Sequence, residues 1–121
     1  MKNLIPDHIK HIEFYKGITI IRLRGDITFE TLKAVQAEFA LKTKGKVIKN
    51  ILFDTKEVSE SDTSGIAALI DLFKYMKTHQ TGDKIGLINV PSKIKNLLAI
   101  SKTQSLFNEY LSKEEAIENL K

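Results

Sequence analysis

Two adjacent hydroxyl side chains, Thr63 and Ser64, stand between Asp62 and Gly65, where a polar segment meets a helical pattern. The first turn of a helix has free backbone N–H groups and the positive end of the helix dipole. Those N–H groups can donate hydrogen bonds to a phosphate placed on either hydroxyl. Gly65 leaves room for the backbone of another protein. The pattern therefore indicates either a regulated binding site or an ordinary helix cap, and both interpretations stay open at this point.

The charge around these hydroxyls differs from that of the whole chain. Four acids minus one base give −3 within nine residues, from Asp54, Glu57, Glu60, Asp62 and Lys56, whereas the chain carries +4 overall. Such a segment would repel nucleic acid and free nucleotides and would suit a basic protein surface. A phosphate adds about −1.5 to −2 more, enough to change a docked interface.

The elements that position this segment follow from hydrophobic periodicity and capping residues. Strands are predicted from Ile9 onwards, at Ile18–Arg24 after a turn at Lys16-Gly17, at Val47–Asp54, at Lys84–Val90 and within Leu106–Leu111. Helices are predicted after Thr28, Asp62, Ser92 and Ser112, with a polar loop at Thr55–Ser61. Strands alternating with helices favour an α/β domain: a mixed four- to five-stranded sheet with an N-terminal hairpin and about four helices. The apolar run that ends at Asp54 predicts a central strand buried on both faces.

Composition limits the class of protein. The 121 residues suit a single domain over 1–121, with a core from about 9 to 120, and 42% apolar against 28% charged residues is typical of a soluble globular chain. No apolar run reaches the about 20 residues that cross a bilayer, and no secretory signal is visible. We therefore expect a cytoplasmic protein without direct membrane insertion. The absence of cysteine excludes thiolate catalysis and thiolate metal sites.

Motifs of the common enzyme classes are missing. There is no Walker loop, no dinucleotide-binding glycine pattern, no nucleophile elbow and no zinc-protease helix. The only arginines are Arg22 and Arg24, which disfavours nucleic-acid recognition. A phosphate-accepting receiver domain would need an acidic pair after the first strand, which the chain lacks. We expect no catalytic residue, metal or cofactor, with a small-molecule sensor as a minor alternative.

Four segments in the same order resemble the STAS domain, specifically the bacterial anti-sigma factor antagonists. Asp62-Thr63-Ser64-Gly65 is similar to the Asp-Ser-[Ser/Thr]-Gly motif before the second helix of that family. Gly25-Asp26-Ile27-Thr28 resembles its signature before the first helix. The strand and loop Asn50–Val58, and Pro91-Ser92 with the apolar helix that follows, complete the resemblance, which covers about 9 to 120.

The resemblance implies a partner switch in signal transduction and transcription regulation. In this family the unmodified antagonist binds an anti-sigma factor serine/threonine kinase, phosphorylation of the hydroxyl after the motif Asp releases it, and a PP2C-type phosphatase resets it. The resemblance implies that the phosphorylation site of this chain is Thr63, with Ser64 as second choice. The expected partner-binding residues are Asp26, Thr28, Asp54, Glu57, Glu60, Ser61, Asp62, Thr63, Ser64 and Gly65. The alternative is a STAS scaffold or subunit that is not phosphorylated, in a stress-signalling or lipid-transport ABC complex.

Overall fold

A tight hairpin begins the fold. Lys16 and Gly17 both adopt positive φ, at 52° and 81°, the backbone of a two-residue type I′ turn that matches the twist of paired strands. The turn joins β1 (Ile9–Tyr15) to β2 (Ile18–Gly25), and the two strands pair antiparallel. The predicted hairpin is therefore confirmed.

The computed structural model describes residues 8–59, 63–79, 81–82, 84–100 and 107–121, without the side chains of 63–66 and 100. After the hairpin come α1 (Phe29–Lys42), β3 (Asn50–Val58), α2 (Thr63–Lys77), β4 (Ile85–Ile88), α3 (Ser92–Ile100), β5 (Asn108–Glu109) and α4 (Lys113–Leu120). The five strands form one sheet in the order β1-β2-β3-β4-β5, parallel from β2 onwards. This mixed sheet with four helices confirms the predicted fold class.

The handedness of the crossovers decides where the helices lie. Connections between neighbouring parallel strands are right-handed, so α1, α2 and α3 all cover the same face of the sheet, and α4 covers the other. On β3, Ile51 and Phe53 belong to the larger core under α1–α3, whereas Leu52 belongs to the smaller core under α4. All three are fully buried, which confirms a central strand covered on both faces.

The approach of α4 to the sheet depends on Gly86 in β4. A Cβ atom at this position would lie 2.9 Å from the Tyr110 ring and 3.0 Å from Leu120 of α4. These distances are shorter than ordinary van der Waals contacts, so a side chain here would push the helix away from the sheet. The glycine thus permits close packing of the fourth helix.

Several predicted element limits are wrong. Strand β3 begins at Asn50 rather than Val47, which is 84% exposed, and it continues through 55–58, predicted as loop, to Val58. The continuation exists because β2 runs on to Gly25 and pairs with Val58. Strand β4 is shorter than predicted, at Ile85–Ile88, whereas the short β5, Asn108–Glu109, lies within the predicted Leu106–Leu111.

The predicted caps of two helices are confirmed. The Thr28 hydroxyl accepts a hydrogen bond from the N–H of Thr31 at the start of α1. The Ser112 hydroxyl accepts one from the N–H of Glu115 at the start of α4. A capping box would add a bond from the N–H of Ser112 to the Glu115 carboxylate, but this carboxylate accepts from the N–H of Leu111 instead, at 2.8 Å.

Candidate partner-binding face

The pairing of β2 with β3 brings two of the segments that suggested a function together. Gly25 is the register partner of Val58, and the N–H of Ser59 donates to the Gly25 carbonyl at 3.0 Å. The loop 26–28, which follows β2, therefore lies beside the segment that leaves β3 toward α2. We define the candidate face as the loop 26–28, the end of β3 at 57–59 and the first turn of α2 at 63–66.

The loop 26–28 is held at its centre and exposed at its first residue. Ile27 is fully buried, whereas Asp26 is exposed. Thr28 is half-buried and serves as the N-cap of α1 through reciprocal bonds with Thr31, whose hydroxyl also donates to the Asp26 carbonyl at 3.0 Å. Asp26 thus presents a carboxylate to solvent from a rigid loop, while the Thr28 hydroxyl is engaged in capping.

Asp54 lies inside the sheet rather than in an acidic loop. It is 4% exposed, and its Oδ2 accepts from Nε of Arg22 on β2 at 3.1 Å. Its Oδ1 accepts from the N–H of Lys56 and from Nδ2 of Asn89, both at 3.1 Å. A buried carboxylate needs such compensation. Asp54 therefore ties together the ends of β2, β3 and β4 beneath the candidate face.

Glu57 is paired although it is exposed. Nζ of Lys10 on β1 donates to both of its carboxylate oxygens, at 3.0 and 2.8 Å. This hydrogen bond lowers the pKa of Glu57, the charges of Lys10, Arg22 and Arg24 lower it further, and partial desolvation opposes them. Glu57 stays ionised at neutral pH with its charge largely balanced.

The remaining candidate residues have a more limited description. Glu60, Ser61 and Asp62 lie outside the described residues, and of Thr63, Ser64 and Gly65 only the helical backbone at the start of α2 is described. The helix itself is firmly seated, since the side chains of Leu69, Leu72, Phe73 and Met76 are at most 2% exposed. The assignment of Thr63 or Ser64 as the phosphorylation site stays a prediction.

The described part of the candidate face and the sheet beneath it is not acidic. Four bases stand against three acids there, namely Lys10, Arg22, Arg24 and Lys56 against Asp26, Asp54 and Glu57. The net charge of −3 expected from the sequence did not include the bases that neighbouring strands supply. Any acidic character of the face would have to come from residues between β3 and α2.

Sequence reasoning missed the partners of the buried carboxylate. The sequence indicates no partner for Arg22, and Asn89, which lies within the predicted strand Lys84–Val90, adopts a positive φ of 57° just after β4. An asparagine tolerates this backbone better than most residues, so its position after an apolar strand was the available signal. No signal along the chain indicated that Asn89 donates to Asp54.

Within the ranges described above, no group of three or more His, Asp or Glu side chains could hold a metal ion. In those same parts of the chain, every helix is too short or too polar to span a bilayer.

Replacing Asp54 with asparagine is expected to lower the free energy of unfolding by about 2 kcal/mol, because it leaves Arg22 without its anion and removes one acceptor. The Arg22 side chain is 44% exposed, so water limits the loss. Thermal denaturation should show a midpoint about 5–10 °C lower. The matched control Glu57→Gln breaks an exposed pair and should leave the midpoint unchanged. Equal shifts in both variants would contradict the role of Asp54 in holding the ends of β2, β3 and β4 together.

Comparison with known proteins places the chain in a family. A family model described as the STAS domain matches residues 10–116. A comparison with curated protein sequences found no match.

Solved structures share the fold at low identity. An anti-sigma factor antagonist from Mycobacterium paratuberculosis is 16% identical with a TM-score of 0.68, over 96% of this chain and 97% of that chain. The anti-sigma factor antagonist SpoIIAA in its unphosphorylated form is 17% identical with a TM-score of 0.64, over 90% and 93% of the two chains. The murine anion transporter Slc26a9 is 18% identical with a TM-score of 0.69, over 86% of this chain but 18% of the transporter. Together with the match over 10–116, this architecture shows that the chain belongs to the STAS domain family.

Proposed function

We propose that this protein is a partner-switching regulator of the anti-sigma factor antagonist type. It binds an anti-sigma factor serine/threonine kinase in the cytoplasm through the candidate face, and phosphorylation of Thr63 releases it. The observation that carries the proposal is the bond between Ser59 and Gly25, which holds the end of β3 beside the loop 26–28, whose first residue, Asp26, is exposed. A kinase docked on this face would contact both segments that resemble the antagonist signatures.

The start of α2 suits a reversible phosphate. The first turn of this helix contains no acidic residue, so its N–H groups and dipole face no competing negative side chain on the helix. A phosphate at Thr63 would be stabilised there by about 0.3–1 kcal/mol. Phosphorylation would therefore leave the fold intact and act on the interface, where a desolvated doubly charged group opposes docking.

The family and the anti-sigma factor antagonists among its structural relatives support this function. In the proposed cycle the protein is a binding partner and substrate rather than an enzyme. It affects transcription by sequestering the kinase that holds a sigma factor, and a PP2C-type phosphatase restores the binding form.

A second candidate is a STAS subunit or scaffold that is not phosphorylated. The likeness to the murine anion transporter Slc26a9 favours it, because the same fold there forms 18% of a larger chain. In that case the hydroxyl at the start of α2 serves only as a cap, and a permanent partner covers the face.

The experiment is phosphorylation with an anti-sigma factor serine/threonine kinase from the same organism and ATP, followed by intact-mass and peptide mass spectrometry. Wild type and Ser64→Ala should each gain one phosphate, and Thr63→Ala should gain none. Labelling of Thr63→Ala to the level of wild type would overturn the site assignment. Stable binding of the kinase without labelling of any variant would favour the scaffold.

A further inference from the structure

Strand β1 forms an edge of the sheet. The opposite edge, β5, is only two residues long, whereas β1 has seven. Within the ranges that the structure describes, no strand pairs with the outer side of β1. The register of β1 is irregular between Ile9 and His11, but beyond that point a regular edge offers unpaired backbone groups to another strand, and proteins usually block such an edge.

The outward-facing amides of β1 follow from its turn. Because the turn has two residues, Tyr15 and Ile18 exchange both of their backbone hydrogen bonds. The direction of the backbone groups alternates along a strand, so the N–H and C=O groups of Ile12 and Phe14 point away from β2. The beginning of the edge is covered, because one carboxylate oxygen of Glu38 accepts from the N–H groups of His8 and Ile9 at 2.8 and 2.9 Å. The accessible edge is therefore 10–14.

The charges that normally protect an edge are engaged elsewhere. Lys10 reaches across β2 to Glu57, at 2.8 Å, and Glu13 binds Lys113 of α4 at 3.1 Å. Both charges are therefore partly balanced by partners in the same chain, which weakens the repulsion they exert on an approaching strand. At the same time Phe14 and Tyr15 remain 43% and 40% exposed, which supplies apolar surface at this edge.

We infer that β1 pairs antiparallel with β1 of a second copy of this chain, about a two-fold axis at Ile12. In this register the two Ile12 residues exchange backbone hydrogen bonds and join both sheets into one. His11, which is 61% exposed and lies 3.9 Å from Glu13 of its own chain, then also lies opposite Glu13 of the second copy, 37% exposed, and this contact occurs twice.

Charge and length select this register over its neighbours. A two-fold axis at Glu13 would place the two glutamates opposite each other, which destabilises a strand pair. An axis at His11 would place residues 8 and 9, already bound to Glu38, within the pairing. An axis at Ile12 uses the whole accessible edge and places an imidazole, rather than a second carboxylate, opposite Glu13. None of these residues belongs to the candidate face, and the edge meets that face through the pair of Lys10 with Glu57.

The test uses the absence of cysteine from the chain. Directly opposed residues that exchange hydrogen bonds lie about 5.5 Å apart at Cα, within disulfide range, so Ile12→Cys should form a covalent dimer on mild oxidation. Phe14→Cys is the matched control, because its two copies would lie about 13 Å apart along the strands, although Phe14 is the more exposed of the two. Ile12→Cys that stays monomeric, or equal cross-linking of the two variants, would overturn the inference.

A second measurement does not depend on the folding of Ile12→Cys. Sedimentation equilibrium of the full chain should show a dimer, and His11→Glu should weaken it about tenfold by opposing glutamates. Adding Glu13→His to that variant exchanges the pair and should restore the affinity. A wild-type monomer at about 100 μM, where even weak pairs associate, would count against the dimer, as would a double variant no better than His11→Glu.

Discussion

Thr63→Glu is expected to weaken binding of the partner kinase about 100-fold, or 2.7 kcal/mol, because it places a fixed negative charge in the interface. Glutamate in the first turn of a helix is favourable, so α2 should form as in wild type. The affinity of purified protein for the kinase, measured by calorimetry without ATP, tests the effect. An unchanged thermal midpoint would show that the loss arises at the interface.

The matched control is Thr78→Glu, which adds the same charge at the far end of α2. Thr78 is exposed and directly follows the helix, about 20 Å from its start at 1.5 Å per residue. This variant should bind the kinase as wild type does. If Thr63→Glu also binds with wild-type affinity, the switch is wrong and the scaffold function becomes the better account.

Phe53→Ala should lower the free energy of unfolding by about 4 kcal/mol, since a large buried side chain is lost and a cavity remains. Phe53 is fully buried at the centre of the sheet, and its ring centroid lies 4.7 Å from that of Phe73 on α2. Urea denaturation followed by circular dichroism should show a lower midpoint with an unchanged slope. The thermal midpoint should fall by about 15 °C.

Two controls separate burial from loss of an aromatic ring. Phe53→Leu keeps most of the volume and should cost about 1 kcal/mol. Phe29→Ala removes a ring that is 52% exposed and should change stability by less than about 0.5 kcal/mol. A loss below 1 kcal/mol for Phe53→Ala would contradict the packing of α2 on β3 through these rings.

Signals that act within a few residues predicted much of the fold. The turn at Lys16-Gly17 and the caps Thr28 and Ser112 lie where their residue types indicated. The periodicity of α2 identified Leu69, Phe73 and Met76 as buried. Capping, turn geometry and hydrophobic periodicity depend on neighbouring residues alone, so the chain order of the elements follows from them.

Limits set by pairing between strands could not be predicted in this way. Strand β3 continues past Asp54 because β2 pairs with it as far as Gly25. The residues 55–58 themselves contain no signal that predicts this pairing. The same limit applies to the surroundings of Asp54. The polar residues that follow it predicted a loop, but Arg22 and Asn89, on or beside other strands, bind its carboxylate and compensate for its burial.

The amino-acid sequence by itself determined the family, the order of strands and helices, and the four-residue pattern that nominates Thr63. The tertiary structure alone decided that α4 covers the face opposite α1–α3, that Asp54 and Glu57 are balanced by Arg22 and Lys10, and that β1 is left as an edge. The physical reason is the separation along the sequence over which each interaction acts. Periodicity and capping act along a few residues, whereas charge compensation and strand pairing join residues more than thirty positions apart.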